Sequence, residues 1–222
     1  MNIKDKPTIY LMPGMAASPK IFERLHFPNT YDIHLLDWIM PEEDESLAHY
    51  ASRLASTITA PNPILLGVSF GGIIMQEVAK QINYKKVVII SSVKTQYELP
   101  KKMLLARYTH LHKLLPVSAI SHLEFWKRFS FSEAMNKRLT LYEKYIGLRS
   151  PSYLDWSIDR IVNWQQKEPL PRTIHIHGDK DPVFPIQYIK NAVVVKNGTH
   201  IMIINRYKWF NENLIPQLAI ED

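Results

Sequence analysis

The 222 residues contain no cysteine, which excludes disulfides and thiolate-ligated metal sites. No window reaches the run of about 20 apolar residues needed to cross a bilayer. The N-terminus, Met1-Asn-Ile-Lys-Asp-Lys-Pro, lacks the apolar core of a signal peptide and runs at once into a strand-like segment, so a cytoplasmic protein is expected. The formal charge of +6 and the pI near 9.3 come without any Lys/Arg-rich run or aromatic-interleaved basic motif, so a nucleic-acid partner is not expected. Internal repeats and low-complexity stretches are also missing. Glycine is scarce, with only 7 residues, which makes its placement informative.

What is present is an ordinary globular balance, with 46% hydrophobic and 22% charged residues, enough for one domain with a sizeable core. Short aliphatic and β-branched runs alternate with helical patterns, the signature of a parallel sheet with crossover helices. Strands are expected at Thr8–Met12, Tyr31–Leu36, Pro63–Val68, Lys85–Ile90, Thr173–His177 and Ala192–Lys196. Several are apolar on both faces, as covered strands require. Helices are expected over Ser46–Thr59, Gly72–Ile82 and Arg206–Leu218, the last ended or kinked by Pro216. The fold class is therefore α/β, with a doubly wound, mostly parallel sheet of about six strands.

The alternation breaks from about Val93 to Glu168, where no convincing strand is found. Helical stripes run over Lys101–Leu115, Ser132–Leu148 and Ser152–Trp164, and aromatic residues are dense. This stretch reads as a helical cap of about residues 93–168 inserted in a core formed by 1–92 and 169–222, all one domain. Lys94, Lys101, Lys102 and Arg107 would then stand near the cap entrance, where they could favour an anionic substrate. The acidic run Glu42-Glu-Asp-Glu precedes a helix start, where negative charge is favoured by the helix dipole, and needs no metal.

The chemistry is concentrated in four loops that follow predicted strands and hold six of the 7 glycines; Gly147 alone lies in the cap segment. The third strand runs into Gly67-Val-Ser69-Phe-Gly71-Gly72, a Gly-x-Ser-x-Gly turn between strand and helix. Such a turn pushes the serine hydroxyl out of the sheet, and its tightness asks for residues without a Cβ on either side. The alternative use of such a turn, cradling a phosphate, lacks both the Gly-Lys-Ser/Thr ending and the Gly-x-Gly-x-x-Gly pattern. A nucleophilic serine needs a base, and the base an orienting acid. The fifth strand ends in His177-Gly-Asp179-Lys-Asp181-Pro-Val-Phe-Pro, and the sixth in Asn197-Gly-Thr-His200-Ile-Met. Of the nine histidines only His200 follows both other members in a post-strand loop, and it is the expected base. Asp181 is the favoured acid; Asp179 is its closest competitor, and Asp155 and Asp159 of the cap are further ones. The first loop, Pro13-Gly-Met15-Ala-Ala-Ser18, is expected to supply one backbone N–H to an oxyanion, from Met15 or else Ala16. The other N–H would come from Phe70.

Over nearly its whole length the chain resembles the α/β-hydrolase superfamily, through Pro-Gly-Met-Ala-Ala-Ser, Gly-Val-Ser-Phe-Gly-Gly, His-Gly-Asp-Lys-Asp-Pro-Val-Phe-Pro and Gly-Thr-His-Ile-Met. The resemblance implies a triad of Ser69, Asp181 and His200 and a cap governing access. Two departures stand out: the family's first two strands have no counterpart here, and its common His-Gly before the oxyanion residue is Pro13-Gly14. The function expected is hydrolysis of a carboxylic ester or thioester, a small molecule, through an acyl-enzyme, with no cofactor and no metal. Two other readings stay open. One is a ligand sensor or interaction protein that does not turn over, and the other a lipase acting at a membrane surface without stable insertion.

Overall fold

The computed structural model describes residues 6–110 and 143–219. Six parallel strands form one sheet: β1 (Thr8–Met12), β2 (Asp32–Leu35), β3 (Ile64–Val68), β4 (Lys86–Ile90), β5 (Thr173–Gly178) and β6 (Val193–Val195). Their spatial order is β2-β1-β3-β4-β5-β6. The chain leaves β1 toward one edge, returns to β3, and then builds only toward the other edge. The switch point therefore falls between β1 and β3, where the loops after the two strands diverge and leave a crevice at their carboxyl ends.

Two cores follow from the two-residue period of the strands. On one face Tyr10, Met12, Leu65, Val87 and Ile89 pack against helices α1 (Leu47–Ala55) and α2 (Phe70–Ala79). On the other, Ile9, Leu11, Ile64, Leu66, Val88 and Ile90 meet the short α5 (Met202–Asn205) and the closing helix α6 (Tyr207–Ala219). Every residue of α2 is buried, because α2 lies between the sheet, α1 and the later helix α4 (Pro151–Asn163). Helix α1 starts where Ser46 caps it, its side chain accepting from His49 N–H at 3.1 Å. Helix α4 starts the same way, at Ser150 followed by Pro151.

The six strands lie within two residues of their expected ends, and α2 begins at Phe70, two residues before the expected Gly72. Helix α6 runs through Pro216 instead of ending there. Pro216 and Glu212, whose carbonyl loses its helical partner, are both exposed, so water can take the place of the missing N–H. Of the expected cap helices, α3 (Lys101–Thr109) and α4 are present, while most of Ser132–Leu148 and the end of Lys101–Leu115 lie outside the described residues. Among the described residues, no helix is long and apolar enough to cross a membrane.

Candidate active site

Ser69 is the turn between β3 and α2. Its backbone takes φ 52° and ψ −121°, a conformation costly for a residue with a side chain. The surroundings enforce it: Ser69 N–H donates to the Ile90 carbonyl at 2.9 Å, and its own carbonyl accepts from Gly72 N–H and from the Ser92 hydroxyl at 2.7 Å. The tightness of the turn explains the flanking glycines. A Cβ on Gly67 would stand 2.2 Å from the Gly71 carbonyl oxygen, and one on Gly71 would stand 2.3 Å from that of Pro13. Both approaches are to backbone, which cannot swing aside.

The loops after β5 and β6 bring the other two side chains to this turn. His200 Nε2 lies 2.9 Å from Ser69 Oγ, and His200 Nδ1 lies 2.9 Å from Asp181 Oδ2. Asp181 is buried, and its Oδ1 accepts the backbone N–H groups of Val183 and Phe184 at 2.8 and 3.0 Å. Those two bonds hold the carboxylate in place with both oxygens facing the histidine, Oδ1 being 3.1 Å from His200 Nδ1. The competing acids are placed elsewhere. His200 Nδ1 bonds to Asp181 and not to Asp179, while Asp155 and Asp159 line a separate cleft of about 610 Å³ with Glu42, Glu43 and Asp44.

Behind Asp181 stand two buried histidines of β5. His177 Nε2–H donates to the Phe184 carbonyl at 2.8 Å and lies 3.6 Å from Asp181 Oδ2; its Nδ1 faces His175 Nε2 at 3.2 Å. Burial pushes both pKa values down, that of His175 well below the ordinary range with further help from His177 and Lys94. Both rings are neutral at pH 7, so they shape the loop carrying Asp181 without adding charge to it.

The first loop lies on the opposite side of Ser69. Gly14, Met15 and Ala17 line, with Ile21, Val68, Ser69, His200, Ile201, Ile203 and Ile204, a cavity of about 110 Å³. The Met15 and Phe70 backbone N–H groups meet no acceptor among the described residues, whereas Ala16 N–H is taken by the Tyr153 hydroxyl at 3.3 Å. Ala16 was the alternative donor, and its N–H is occupied.

Two surface expectations are corrected. Lys94 is buried: its ammonium donates to the carbonyls of Lys190 and Asn191 and lies 3.8 Å from Glu98. Arg107 binds the Val162 and Trp164 carbonyls at 2.7 and 2.8 Å, tying α3 to the end of α4. Neither is free to greet an anionic substrate, and only Lys101 and Lys102 remain exposed. In the acidic run, Glu45 is buried instead of hydrated, accepting from Glu42 N–H, His49 and Arg53. Among the described residues the donor atoms of Glu42, Glu45 and His49 come within 4.8 Å of one another, but the Arg53 guanidinium already pairs with both carboxylates, 2.8 Å from Glu45 and 3.6 Å from Glu42. The group is an ion-pair cluster at the head of α1. Sequence reasoning passed over Trp38 and Tyr153, whose polar atoms both reach the first loop. A tryptophan at the carboxyl end of the second strand, where functional loops gather, was the available signal for Trp38.

No protein-family model and no curated protein sequence matches the chain. Solved structures do match. A lipase-esterase related protein from Clostridium acetobutylicum ATCC 824 is 18% identical, with TM-score 0.64 over 96% of this chain and 95% of that one. An esterase from Thermogutta terrifontis is 11% identical, with TM-score 0.61 over 96% and 89%. An epoxide hydrolase of the α/β-hydrolase superfamily, from metagenomes of hot environments, is 12% identical, with TM-score 0.69 over 98% and 92%. The parallel sheet, its switch point between β1 and β3, the serine turn at the end of β3 and the agreement over nearly the whole of each chain make this protein's fold that of the α/β-hydrolases.

Proposed function

We propose that the protein is a serine hydrolase that cleaves a carboxylic ester or thioester through an acyl-enzyme, with Ser69 as nucleophile, His200 as general base and Asp181 as the acid orienting it. The observation that carries this is the continuous line Asp181–His200–Ser69, with hydrogen bonds of 2.9 Å at each step, at the switch point of an α/β-hydrolase sheet. His200 Nε2 takes the Ser69 proton as Oγ attacks the substrate carbonyl; the carbonyl π pair moves onto oxygen, and the Met15 and Phe70 N–H groups receive that oxyanion. On collapse, the bond to the leaving alcohol or thiol breaks and His200 returns the proton to it. Water, deprotonated by His200, then attacks the acyl carbonyl; as the tetrahedral intermediate collapses the bond to Oγ breaks, His200 returns the proton to Ser69, and the acid leaves.

The cavity beside Ser69 supports a modest apolar acyl or alcohol group. Its volume is about 110 Å³ and its walls are mostly aliphatic. The segment of about residues 93–168 serves in this reading as a cap over the site.

The test is intact-mass analysis after fluorophosphonate treatment of the wild type, Ser69→Ala and His200→Ala, beside steady-state turnover of short-chain p-nitrophenyl esters. One adduct mapped to Ser69 and absent from both variants is expected, with kcat down about 10⁴–10⁶-fold in Ser69→Ala. A folded wild type that neither labels nor turns over would refute the assignment.

A further inference from the structure

The first loop must present the Met15 N–H to an oxyanion, yet the histidine that commonly precedes Gly14 in this fold is replaced by Pro13. The structure holds the loop by other means. The Trp38 indole N–H donates to the Gly14 carbonyl at 2.8 Å in a buried contact, and Ala17 N–H donates to the same oxygen at 3.0 Å. The Gly14 carbonyl and the Met15 N–H belong to one peptide unit. In a planar trans peptide they point in opposite directions, so anchoring the carbonyl on Trp38 fixes the line along which the N–H points. A donor on that carbonyl also polarises the amide and strengthens the N–H as a hydrogen-bond donor.

The groups around Met15 are occupied in turn. Ala16 N–H donates to the Tyr153 hydroxyl at 3.3 Å, Ala16 carbonyl accepts from Gly147 N–H at 2.8 Å, and Ser18 N–H donates to the Tyr145 carbonyl at 2.7 Å. Ala16 itself is held at φ 58°. The Met15 N–H is left without an acceptor among the described residues, and Met15 lines the cavity that contains Ser69 and His200. Trp38 has a second contact: its ring stacks on that of Phe70, with centroids 5.3 Å apart and planes 13° from parallel. Phe70 supplies the other backbone donor.

We propose that Trp38 is a positioning residue for the oxyanion site, its indole N–H setting the plane of the Gly14–Met15 peptide while its ring face supports Phe70, so that one side chain aligns both donors. The assignment rests on the serine-hydrolase reading above. Tyr153 secures the far side of the same loop from α4.

Trp38→Phe keeps an aromatic ring against Phe70 and removes the indole donor. Replacing Trp38 by 3-benzothienylalanine, in which sulfur takes the place of N–H, keeps the shape entire and guards against a folding defect. The control is Trp156→Phe, which removes an indole bond of similar length, 2.7 Å to the Glu45 carbonyl, from the same aromatic cluster without touching the first loop. For each protein, kcat and KM for a short ester are measured, with the affinity for a trifluoromethyl ketone, which forms a tetrahedral oxyanion adduct on serine. Both Trp38 variants should lose about 10–100-fold in kcat, with KM within about twofold and trifluoromethyl ketone affinity falling in the same proportion as kcat. Trp156→Phe should stay within about twofold of wild type in all three. Three results would overturn the assignment: unchanged kcat in the benzothienyl protein, a loss confined to KM, or an equal loss in Trp156→Phe. Fluorophosphonate labelling of the wild type separates this from the parent reading. Labelling at Ser69 with unaffected Trp38 variants removes the Trp38 role alone, whereas no labelling of the folded wild type removes both.

Discussion

Replacing Asp181 by Asn is the most discriminating single change, because the structure dictates how the amide must sit. Asp181 Oδ1 accepts from the backbone N–H groups of Val183 and Phe184 at 2.8 and 3.0 Å, and an amide nitrogen cannot accept those bonds. The amide oxygen therefore takes the Oδ1 place, 3.1 Å from His200 Nδ1, and the NH₂ group takes the nearer Oδ2 place, 2.9 Å from it. The nearer NH₂ donor favours a bare Nδ1 over an Nδ1–H bonded to the amide oxygen, and so shifts His200 toward the tautomer with its proton on Nε2, the atom 2.9 Å from Ser69 Oγ. In that tautomer it cannot accept the serine proton. The expected loss is about 10⁴-fold in kcat, or about 5 kcal/mol of activation free energy, with KM little changed. Stability should barely move, since the two loop N–H groups keep their acceptor. Asp181→Ala should instead lose about 1–3 kcal/mol, because it strands those buried donors. Steady-state hydrolysis of a p-nitrophenyl ester together with urea denaturation of both variants makes the check. Activity within tenfold of wild type in a stably folded Asp181→Asn protein would refute the tautomer reasoning and with it the role of Asp181.

Gly71→Ala should destabilise the protein by at least about 1–3 kcal/mol in urea denaturation, since the new Cβ would lie 2.3 Å from the Pro13 carbonyl and 2.6 Å from that of Met12; an unchanged midpoint would mean the turn relaxes freely. Stability should also fall in mild acid. His175 and His177 have folded pKa values lowered by burial, so the unfolded chain binds their protons first. The stability they contribute is complete above the unfolded value near 6.5 and is lost as pH falls from there toward the lowered folded values, by about 1.4 kcal/mol per pH unit for each ring that stays neutral. Urea midpoints between pH 7.5 and 5 in the wild type and in His177→Gln read this directly, and equal slopes in the two would contradict it.

The strand frame could be read from the sequence because covered parallel strands need near-continuous apolar runs, as in Val87-Val-Ile-Ile, and each run ends at a loop with its own turn chemistry. The meeting of Ser69 and His200 was legible for a related reason: the proposed chemistry would require them in loops after strands, and the pattern leaves few such places. The choice between Asp181 and Asp179 was less visible. It turns on which carboxylate receives two backbone N–H groups from its own loop, a matter of dihedral angles that no spacing encodes. Trp38 and Tyr153 were harder still. Tyr153 meets the first loop across 137 residues of sequence and Trp38 across 24, and neither pairing leaves a periodic trace. Lys94 was misread because a lone lysine after a strand looks like a solvated charge; its burial depends on two carbonyls from the loop after β5.

The pairing of β4 with β5 joins Val87 to Thr173, neighbours in space separated by the whole of α3, α4 and what lies between. The entropy lost in closing such a long excursion grows only as the logarithm of its length, so doubling the intervening chain costs only about 0.6 kcal/mol. The seam between β4 and β5 is thus a place where the lineage could lengthen, shorten or exchange the material above the sheet with little penalty to folding. The residues that converge on Ser69 from the loops after β3, β5 and β6 lie outside that excursion, whereas the loop after β1 leans on it through Tyr145, Gly147 and Tyr153. A new excursion at that seam could leave the sheet as it is, provided it still offers partners to Ala16 and Ser18 of the loop after β1.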